Sequence, residues 1–406
     1  MQRGNFSSIS YFQIMNPPVI GAYYFPNFHA DPRNDSEHGR GWTEWELLKT
    51  ATPRFPGHHQ PLVPEWGYED ESDPTVMEKK IDAAADYGVD LFIFDWYHYD
   101  DGEFLNGALD RGYLGAHNNH RARFCLMWAN HDWREIMPAK LGRTSEVLYP
   151  GKVTSETMER MAETISRKYL THPSYFLIEG RAYFSFYDLC TLIEQAGGVS
   201  EAARQLEAFR ERVRACCGVD LHINGVVFRS PVLPGERVPA KLNELIVALG
   251  LDSTTSYVWT HHCPRLNTEA LVPYDDAYSD FQRFWHEEGL NFSVPYFPNV
   301  TMGWDATPRT VQSDCWEVRR YPFTGLLTGN TPERFGSAIA EVLAELRDRG
   351  LPEFLTINAW NEWTEGSYLE PDKTHGFAYL ESIRDAKRNF HHRLRCGQAG
   401  GPGSMP

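Results

Sequence analysis

The sequence of 406 residues lacks the features that mark membrane, zinc and redox proteins. No apolar run approaches the roughly 20 residues that cross a bilayer, so no membrane partner is predicted. The seven cysteines are an odd number and contain no CxxC pair. Reduced core thiols are the expected state, and neither a metal nor a cofactor is predicted.

The N-terminal segment MQRGNFSSISYFQIMNPP has no continuous apolar stretch of the kind found in signal peptides. As written, the protein is expected to be cytoplasmic. A leader removed from the native protein would instead make it periplasmic or secreted. The oligomeric state is not predicted from the sequence.

Positive charge is scarce, since 39 Lys and Arg residues stand against 55 Asp and Glu residues, for a formal net charge of −16. This balance argues against a nucleic-acid partner, because phosphate binding needs a concentrated basic surface. It also disfavours a strongly polyanionic substrate, although it leaves room for a local basic pocket.

Three signature loops are missing as well: a GxGxxG after the first predicted strand, a GxSxG elbow and a Walker loop. Serine-hydrolase chemistry and phosphoryl transfer from ATP therefore have no support.

The sequence is rich in aromatic residues, which make up 14% of it, with 12 Trp, 20 Tyr and 23 Phe. A hydrophobic core absorbs many of them, but aromatic planes among polar groups also suit sugars. The apolar face of a pyranose ring packs on an aromatic plane while its hydroxyls need polar partners. The predicted partner is therefore a carbohydrate substrate.

Strand-like and helix-like segments alternate from residue 19 to the end, which predicts an α/β fold, a (β/α)₈ TIM barrel with a single domain and long βα loops. The eight strand-like runs are 19–25, 89–95, 123–129, 182–187, 221–227, 253–259, 293–298 and 353–359. The clearest helical patterns are 75–87, 154–170, 199–215 and 332–349. An open doubly wound sheet is the alternative, which the missing GxGxxG disfavours.

The predicted domain organisation is simple. Residues 1–18 form an N-terminal extension, 19–392 the barrel, and 393–406 a tail that is expected to be disordered. Two connections are long, 26–74 after the first strand and 299–331 after the seventh. Long loops at the C-terminal ends of barrel strands are where active sites are built.

The strongest local signal is NAWNEWTEGSYLEPD at 358–372, which begins at the end of the last predicted strand. If the chain turns helically there, Glu362 and Glu365 share a face with Cβ atoms about 5–6 Å apart. Two close carboxylates raise one another's pKa, so one can act as an acid while the other stays ionised. Glycosidic cleavage needs that pair of roles. The alternative is a helix start with capping acids, but Trp360, Asn361 and Trp363 favour the catalytic interpretation.

Polar and aromatic residues follow most of the predicted strands and converge on one rim of the barrel, which predicts substrate contacts there. Singly, each has a structural alternative, since a Trp is usually core and an Asp at a strand end often caps a helix. The predicted substrate-binding residues at the rim are Tyr24, Asp95, Trp96, Tyr97, Trp128, Asn130, His131, Tyr187, Asp188, Tyr257, Trp304, Asp305, Asn361 and Trp363.

The first long loop contains GWTEWELL at 41–48 and HHQPLVPEWGY at 58–68. Glu44 and Trp45 are predicted to belong to a lid or substrate platform, and a loop packed by its own aromatics is an equally good interpretation. A metal cluster of His29, His98 and His131 on the rim is conceivable, but sugar hydroxyl contacts explain these histidines more simply.

These motifs make the sequence resemble the WbsX-like proteins, whose domain is related to glycoside hydrolase family 99. The resemblance covers about residues 19–380. Its landmarks are GWTEWELL, QPLVPEWGYED, GVDLFIFDWYHY, LMWANHDW, NVTMGWDATPR and NAWNEWTEGSYLEPD.

The resemblance implies a (β/α)₈ barrel and a retaining cleavage of α-mannosidic or similar bonds within a glycan. By the same resemblance, Glu362 is the base that deprotonates the substrate's 2-hydroxyl and gives a 1,2-anhydro sugar. Glu365 is the acid that protonates the leaving group and then activates water. His131 stands where the related proteins usually carry an acidic residue, which implies that this subsite reads a different sugar.

A glycosyltransferase of surface-polysaccharide synthesis is the alternative function, because the WbsX-like branch is often labelled so. No DxD-type motif stands at a strand end, and this favours hydrolysis or transglycosylation. A catalytically silent carbohydrate-binding barrel is the third hypothesis, which the intact Glu-x-x-Glu argues against.

Overall fold

The computed structural model describes residues 18–398, with side chains described up to residue 390. A parallel barrel forms the centre, and its strands follow the chain order. They are Val19–Tyr24, Leu91–Tyr99, Arg123–Trp128, Arg181–Phe186, Leu221–Val226, Ser253–Thr255, a broken seventh strand of Tyr296–Phe297 and Asn299–Thr301, and Phe354–Asn358.

The barrel is nearly closed through the two halves of the seventh strand. Tyr296–Phe297 pairs with the sixth strand, and Asn299–Thr301 pairs with the eighth. Pro298 separates the halves because its nitrogen has no hydrogen to donate to a ladder. The prediction of a TIM barrel is confirmed, whereas the sixth strand ends at Thr255 and not at 259.

Helices cover the outside of the barrel between successive strands, and the four clearest predicted helices are all present. The helices are Pro32–His38, Trp45–Thr50, Pro74–Tyr87, the π-helical Ala108–Tyr113, Ser155–Lys168, Leu189–Ala196, Val199–Cys217, Leu242–Ala248, Tyr274–Glu287, Pro332–Asp348 and Ala378–Gln398. Helix Pro74–Tyr87 shows why the sequence starts and stops them where it does. Asp73 accepts a hydrogen bond from the Thr75 nitrogen, and Gly88 ends the helix at φ 93°.

Short elements occupy the loops between the barrel strands and helices, and most of them follow a strand. The small strands are Gly102–Phe104, Trp133–Arg134, Val147–Tyr149, Leu177–Ile178, Leu271–Pro273, Leu326–Thr328, Asn361–Glu362 and Ser367–Tyr368. The 3₁₀ turns are Trp259–His261, Pro264–Asn267, Gly289–Asn291, Thr307–Arg309 and Trp363–Glu365. These pieces divide the long loops into short segments fixed against one another.

The predicted N-terminal extension and tail lie mostly outside the described residues. The last helix, Ala378–Gln398, includes residues 393–398 of the predicted tail. Among the helices of residues 18–398, none combines the length and the apolar composition needed to cross a membrane.

Candidate active site

Glu362 and Glu365 lie on a hairpin that follows the eighth strand. Asn361–Glu362 pairs with Ser367–Tyr368, and a 3₁₀ turn, Trp363–Glu365, connects them. The predicted helical turn is therefore limited to one 3₁₀ turn that starts after Glu362. Glu362 is the N-cap residue of this turn, but its side chain makes no capping hydrogen bond.

Glycine at the end of this hairpin allows a close contact with the loop after the seventh strand. Gly366 has φ 63°, and a Cβ atom at this position would lie 2.8 Å from the Cβ atom of Asp305. The backbone nitrogen of Asp305 in turn donates to the carbonyl oxygen of Glu365 at 2.5 Å. The two loops are thus locked together beside the carboxylates.

A single buried guanidinium binds both glutamates. Arg309 donates from Nη2 to Glu362 at 2.9 Å, from Nη1 to Glu365, and from Nε to Glu44 at 2.7 Å. The side chains of all four residues are at most 5% exposed. Glu44 also accepts from Asn27 at 2.8 Å. One cation therefore holds three carboxylates in a volume shielded from water.

A hydroxyl joins Glu362 to a fourth acid. Tyr257 Oη lies 2.9 Å from Asp95 Oδ2 and 3.0 Å from Glu362 Oε1. A phenol has one hydrogen and can donate it to only one of these oxygens. The other contact is a hydrogen bond only if that carboxyl group carries a proton and donates to Tyr257. The geometry thus favours one shared proton on the Asp95–Glu362 pair.

The electrostatics of the acids agree with this arrangement. Burial raises the pKa of Asp95 well above its usual range, although the Tyr257 hydrogen bond opposes it. Burial and then the Glu365 charge raise the pKa of Glu362 well above its usual range. Burial raises the pKa of Glu365 as well, against the effects of Arg309 and the hydrogen bond from Tyr321. The pKa values of all three acids are therefore shifted toward the neutral form.

The carboxylates face a cavity of about 730 Å³ that opens to solvent. Eight of the predicted site residues line it: Asp95, Tyr97, His131, Tyr187, Tyr257, Trp304, Glu362 and Glu365. Burial lowers the pKa of His131, so this imidazole is neutral. The cavity combines acids at its base with aromatic walls.

The other predicted substrate-binding residues do not line this cavity, and several of them support the hairpin that carries Glu362 and Glu365. Asn361 exchanges two hydrogen bonds of 2.8 Å with the backbone of Phe25. Trp363 stacks on Tyr368, with ring centroids 3.8 Å apart. Glu44 holds Arg309 and accepts from Thr364, which directly precedes Glu365. These contacts hold the side chains of Asn361, Trp363 and Glu44 away from the cavity.

A second group outside the cavity belongs to the core and to helix caps. Trp96 and Trp128 are at most 1% exposed. Asp188 accepts from the Thr191 nitrogen at 2.9 Å and caps helix Leu189–Ala196. Asn130 bonds the Asp188 backbone at 2.8 Å. These residues match the structural alternatives considered for single rim positions.

The first long loop packs against the site as a support. Trp45 contacts the rings of Phe28 and Trp363, so it takes the structural alternative of a loop packed by its own aromatics. Tyr24 donates to Glu71 at 2.9 Å beneath the hairpin.

Asp305 accepts from His58 at 2.8 Å and from Gln60 at 2.7 Å. Although burial opposes it, the hydrogen bond from His58 holds the pKa of Asp305 below its usual value. Asp305 therefore ties the first long loop to the loop after the seventh strand, and it does not line the cavity.

Two residues of the site had no predicted role. Arg309 was noted only as part of the loop after the seventh strand, and nothing in its sequence context marks it as the partner of three acids. Tyr321, which donates to Glu365 at 2.6 Å, follows in an irregular segment without periodicity. Among residues 18–398, no cluster of three or more metal-ligating side chains occurs, and this includes His29, His98 and His131.

The raised pKa of Asp95 gives a prediction about stability. A carboxyl group with a raised folded pKa stabilises the protein fully below its unfolded pKa, and this contribution is lost as pH rises toward the folded pKa. Asp95→Asn stays neutral at every pH. We expect its melting temperature to rise relative to the wild type as pH increases from 4 to 8, measured by differential scanning fluorimetry. The exposed Asp348→Asn serves as the control, and parallel curves for Asp95→Asn and wild type would contradict a buried neutral Asp95.

Comparison with known proteins agrees with the barrel and its motifs. Residues 20–383 match the model of the family described as Glycosyltransferase WbsX. Two proteins named "Uncharacterized protein WxcX", from two strains of Xanthomonas campestris pv. campestris, are 27% identical over 380 and 382 residues. These alignments cover 91% of the chain, which spans about half the length of these relatives.

Solved structures show the same fold at low sequence identity. The GH99 endo-alpha-mannosidase from Bacteroides thetaiotaomicron, in complex with BIS-TRIS-propane, superposes with a TM-score of 0.56 at 15% identity. The match covers 93% of this chain and 98% of that chain. A "Glycoside hydrolase-like protein" gives a TM-score of 0.54 at 12% identity, over 91% and 94% of the two chains.

Proposed function

We propose that this chain, which belongs to the Glycosyltransferase WbsX family, is a retaining glycoside hydrolase that cleaves α-glycosidic, mannoside-like bonds in an oligo- or polysaccharide. The observation that carries the proposal is the shared guanidinium of Arg309, which holds Glu362 and Glu365 side by side at the base of an open cavity. Two carboxyl groups at a cavity with aromatic walls are what glycosidic cleavage requires.

In the proposed reaction Glu362 is the base. It removes the proton from the substrate's 2-hydroxyl, and the oxygen O2 then attacks the anomeric carbon of its own sugar ring. Glu365 gives its proton to the leaving oxygen as the glycosidic bond breaks. The 1,2-anhydro sugar is then opened by water, which loses a proton to Glu365, while O2 recovers a proton from Glu362. The two displacements at the anomeric carbon give overall retention.

Asp95 and Tyr257 support the ionised state of Glu362 in this scheme. When Asp95 carries the shared proton, it donates to Tyr257, and Tyr257 donates to Glu362. Glu362 then accepts from both Tyr257 and Arg309, which stabilises the charge needed by a base. Asp95 and Tyr257 also line the cavity, so they are positioned to contact the sugar.

The two oxygens of Glu365 have different surroundings, which decides where the proton of its acid form is placed. Its Oε1 accepts from both Arg309 and Tyr321. The proton of the acid form therefore belongs on Oε2, where it can be given to a leaving group. Glu365 is among the residues that line the cavity.

A glycosyltransferase, which the family description names, is the second candidate. A nucleotide diphosphate in this cavity would lie beside the proposed base Glu362, whose negative charge repels phosphate, and beside the acids Asp95 and Glu365. The nearby Arg309 is already engaged with carboxylates. The charge of the cavity therefore favours hydrolysis.

The test is a cleavage screen by mass spectrometry with wild type beside Glu365→Gln. The panel spans α-mannosides, bacterial O-antigens and polysaccharides with deoxy- or amino-sugars, first without and then with nucleotide sugars. We expect fragments from the wild type only, without nucleotide sugar, and the fragments identify the glycan. Transfer that depends on a nucleotide sugar, with no cleavage anywhere, would support the glycosyltransferase instead.

A further inference from the structure

A second, larger hollow continues outward from the catalytic cavity. We call it the outer groove; it is lined by three segments, 135–145, 231–236 and 319–323, and has a volume of about 1870 Å³. Tyr321, Ile136 and the 232–234 segment line both the cavity and the outer groove. Tyr321 also donates to Glu365, so a residue that lines the outer groove is in direct contact with the proposed acid.

The outer groove is basic in a protein that is strongly acidic overall. Four cations line it, Lys140, Arg143, Arg319 and Arg320, together with two carboxylates, Glu135 and Glu236. Arg319 also pairs with Glu317, so the uncompensated positive charge comes from Lys140 and Arg320. This local excess of positive charge stands in a chain whose net charge is −16.

The two carboxylates of the outer groove already have hydrogen-bond or ion-pair partners within the protein. Glu236 is buried and accepts from Tyr187 at 2.6 Å and from the Val232 nitrogen at 2.6 Å. Glu135 lies 3.6 Å from Arg143. Within residues 18–390, Lys140 and Arg320 have no carboxylate within ion-pair distance, and both are exposed. Their charges are free for a ligand.

Backbone and side-chain hydrogen bonds attach the segment that carries Lys140 to the loop that carries Arg309. The Ala139 nitrogen donates to the Arg309 carbonyl at 2.8 Å, and the Val311 nitrogen donates to Ala139 at 2.9 Å. The Leu141 nitrogen donates to Asp314 at 2.9 Å. The position of Lys140 is therefore fixed relative to Arg309, which binds both proposed catalytic residues.

We infer that the outer groove binds an anionic group of the glycan, a carboxylate or a phosphate, on a sugar beyond those in the catalytic cavity. This inference rests on the proposed function and names the substrate class as an acidic oligo- or polysaccharide. The net charge of the whole chain disfavours a strongly polyanionic substrate, but a local basic groove can still bind an anionic group. Lys140 and Arg320 supply the charge complementarity.

The experiment measures binding by isothermal titration to Glu365→Gln, which prevents turnover. The probes are α-linked mannose oligosaccharides in three matched forms: neutral, with a glucuronate side group, and with a 6-phosphate. We expect the anionic forms to bind about tenfold more tightly than the neutral form, and 500 mM NaCl to remove the difference. The tighter of the two anionic forms identifies the group.

The double substitution Lys140→Gln/Arg320→Gln is expected to reduce binding of the anionic forms to the level of the neutral one. The control is Arg204→Gln/Lys241→Gln, which removes two exposed cations outside the outer groove and is expected to change nothing. Equal binding of the three forms, no binding of any form, or equal effects of the two double variants would overturn the inference.

The two proposals fail in different ways. Suppose that wild type and Lys140→Gln/Arg320→Gln cleave a neutral glycan with equal kcat/KM and that neither prefers an anionic glycan. The inference that the outer groove binds an anion is then overturned, while the proposed hydrolase activity stands. If anionic oligosaccharides bind through Lys140 and Arg320 but no glycan is cleaved, the hydrolase is overturned and the anion site stands.

Discussion

Glu365→Gln and Glu362→Gln are each expected to lower kcat/KM for glycan cleavage by about 1000-fold or more, because positioned general acids and bases contribute about 10²–10⁴-fold and both steps are affected. Glutamine keeps the shape of the side chain but can neither give nor take the proton. The measurement is kcat and KM on whichever glycan the screen identifies. The two variants differ in their remaining chemistry, since a substrate with a good leaving group needs no acid. Such a substrate is expected to rescue the first step for Glu365→Gln only.

The same two variants are expected to keep or raise the melting temperature. Both side chains are only 4% exposed, so solvent accessibility does not explain this tolerance. The physical reason is therefore different. Glu44, Glu362, Glu365 and Asp95 crowd around one cation, so a neutral replacement reduces repulsion between acids.

A contrasting variant lies on the same hairpin. Glu370 accepts from Trp360 at 3.0 Å and Trp363 at 2.7 Å, and pairs with Lys80 at 2.6 Å. Glu370→Gln is expected to lower the melting temperature, because a buried lysine loses one of its two carboxylates. If Glu365→Gln unfolds in the same way as Glu370→Gln, then Glu365 is a structural residue and its catalytic assignment fails.

Arg309→Gln is expected to have the largest effect on stability. It removes the only guanidinium bonded to Glu44, Glu362 and Glu365 within the described residues, and leaves their carboxylates buried without a cation. Breaking a buried ion pair in this way costs about 3–5 kcal/mol of unfolding free energy. Urea denaturation at pH 7 measures this loss, and activity is expected to disappear with it.

The loss in Arg309→Gln has a definite dependence on pH. Without the cation, the pKa values of Glu362 and Glu365 rise further, so the folded variant binds protons more tightly than the unfolded chain. Its stability is therefore expected to recover as pH falls toward 5 and to worsen as pH rises. Arg309→Lys keeps the charge but not the planar fork, and an intermediate loss is expected.

The control for Arg309→Gln is Arg229→Gln, where a guanidinium that is 38% exposed pairs with Glu287 and Glu288. Exposed pairs contribute about 0–1 kcal/mol, so little change is expected. An unfolding free energy of Arg309→Gln equal to that of the wild type, or a deficit that grows at low pH, would show that the buried carboxylates do not depend on Arg309.

The site could be predicted from the sequence where its residues lie next to strand ends. Asp95 lies in the second barrel strand, Tyr257 and the Glu362–Glu365 pair follow later strands, and the strands of a parallel barrel all end at the same rim. The side chain of each such residue still has two possible directions, toward the cavity or toward the surrounding helices. Trp96 follows Asp95 directly and, because side chains alternate along a strand, it lies in the core and not in the cavity.

The contacts across the rim could not be predicted. Arg309 and Glu44 are 265 positions apart in the chain, and Tyr257 and Asp95 are 162 apart. No local spacing rule reaches that far, because periodicity describes only the neighbours within one helix or strand. The same holds for the outer groove, whose cations come from loops after the third and seventh strands.

By itself, the sequence determined the barrel, the position of the long loops and the paired glutamates, because alternating apolar periodicity and a dense local motif are short-range properties of the chain. The tertiary structure alone decided which rim residues face the cavity, which cation binds the glutamates, and that Tyr257 joins Asp95 to Glu362. These depend on how loops distant in sequence pack, and on the loss of water that packing brings about. That desolvation raises the pKa values of the acids, and it has no counterpart in the unfolded chain.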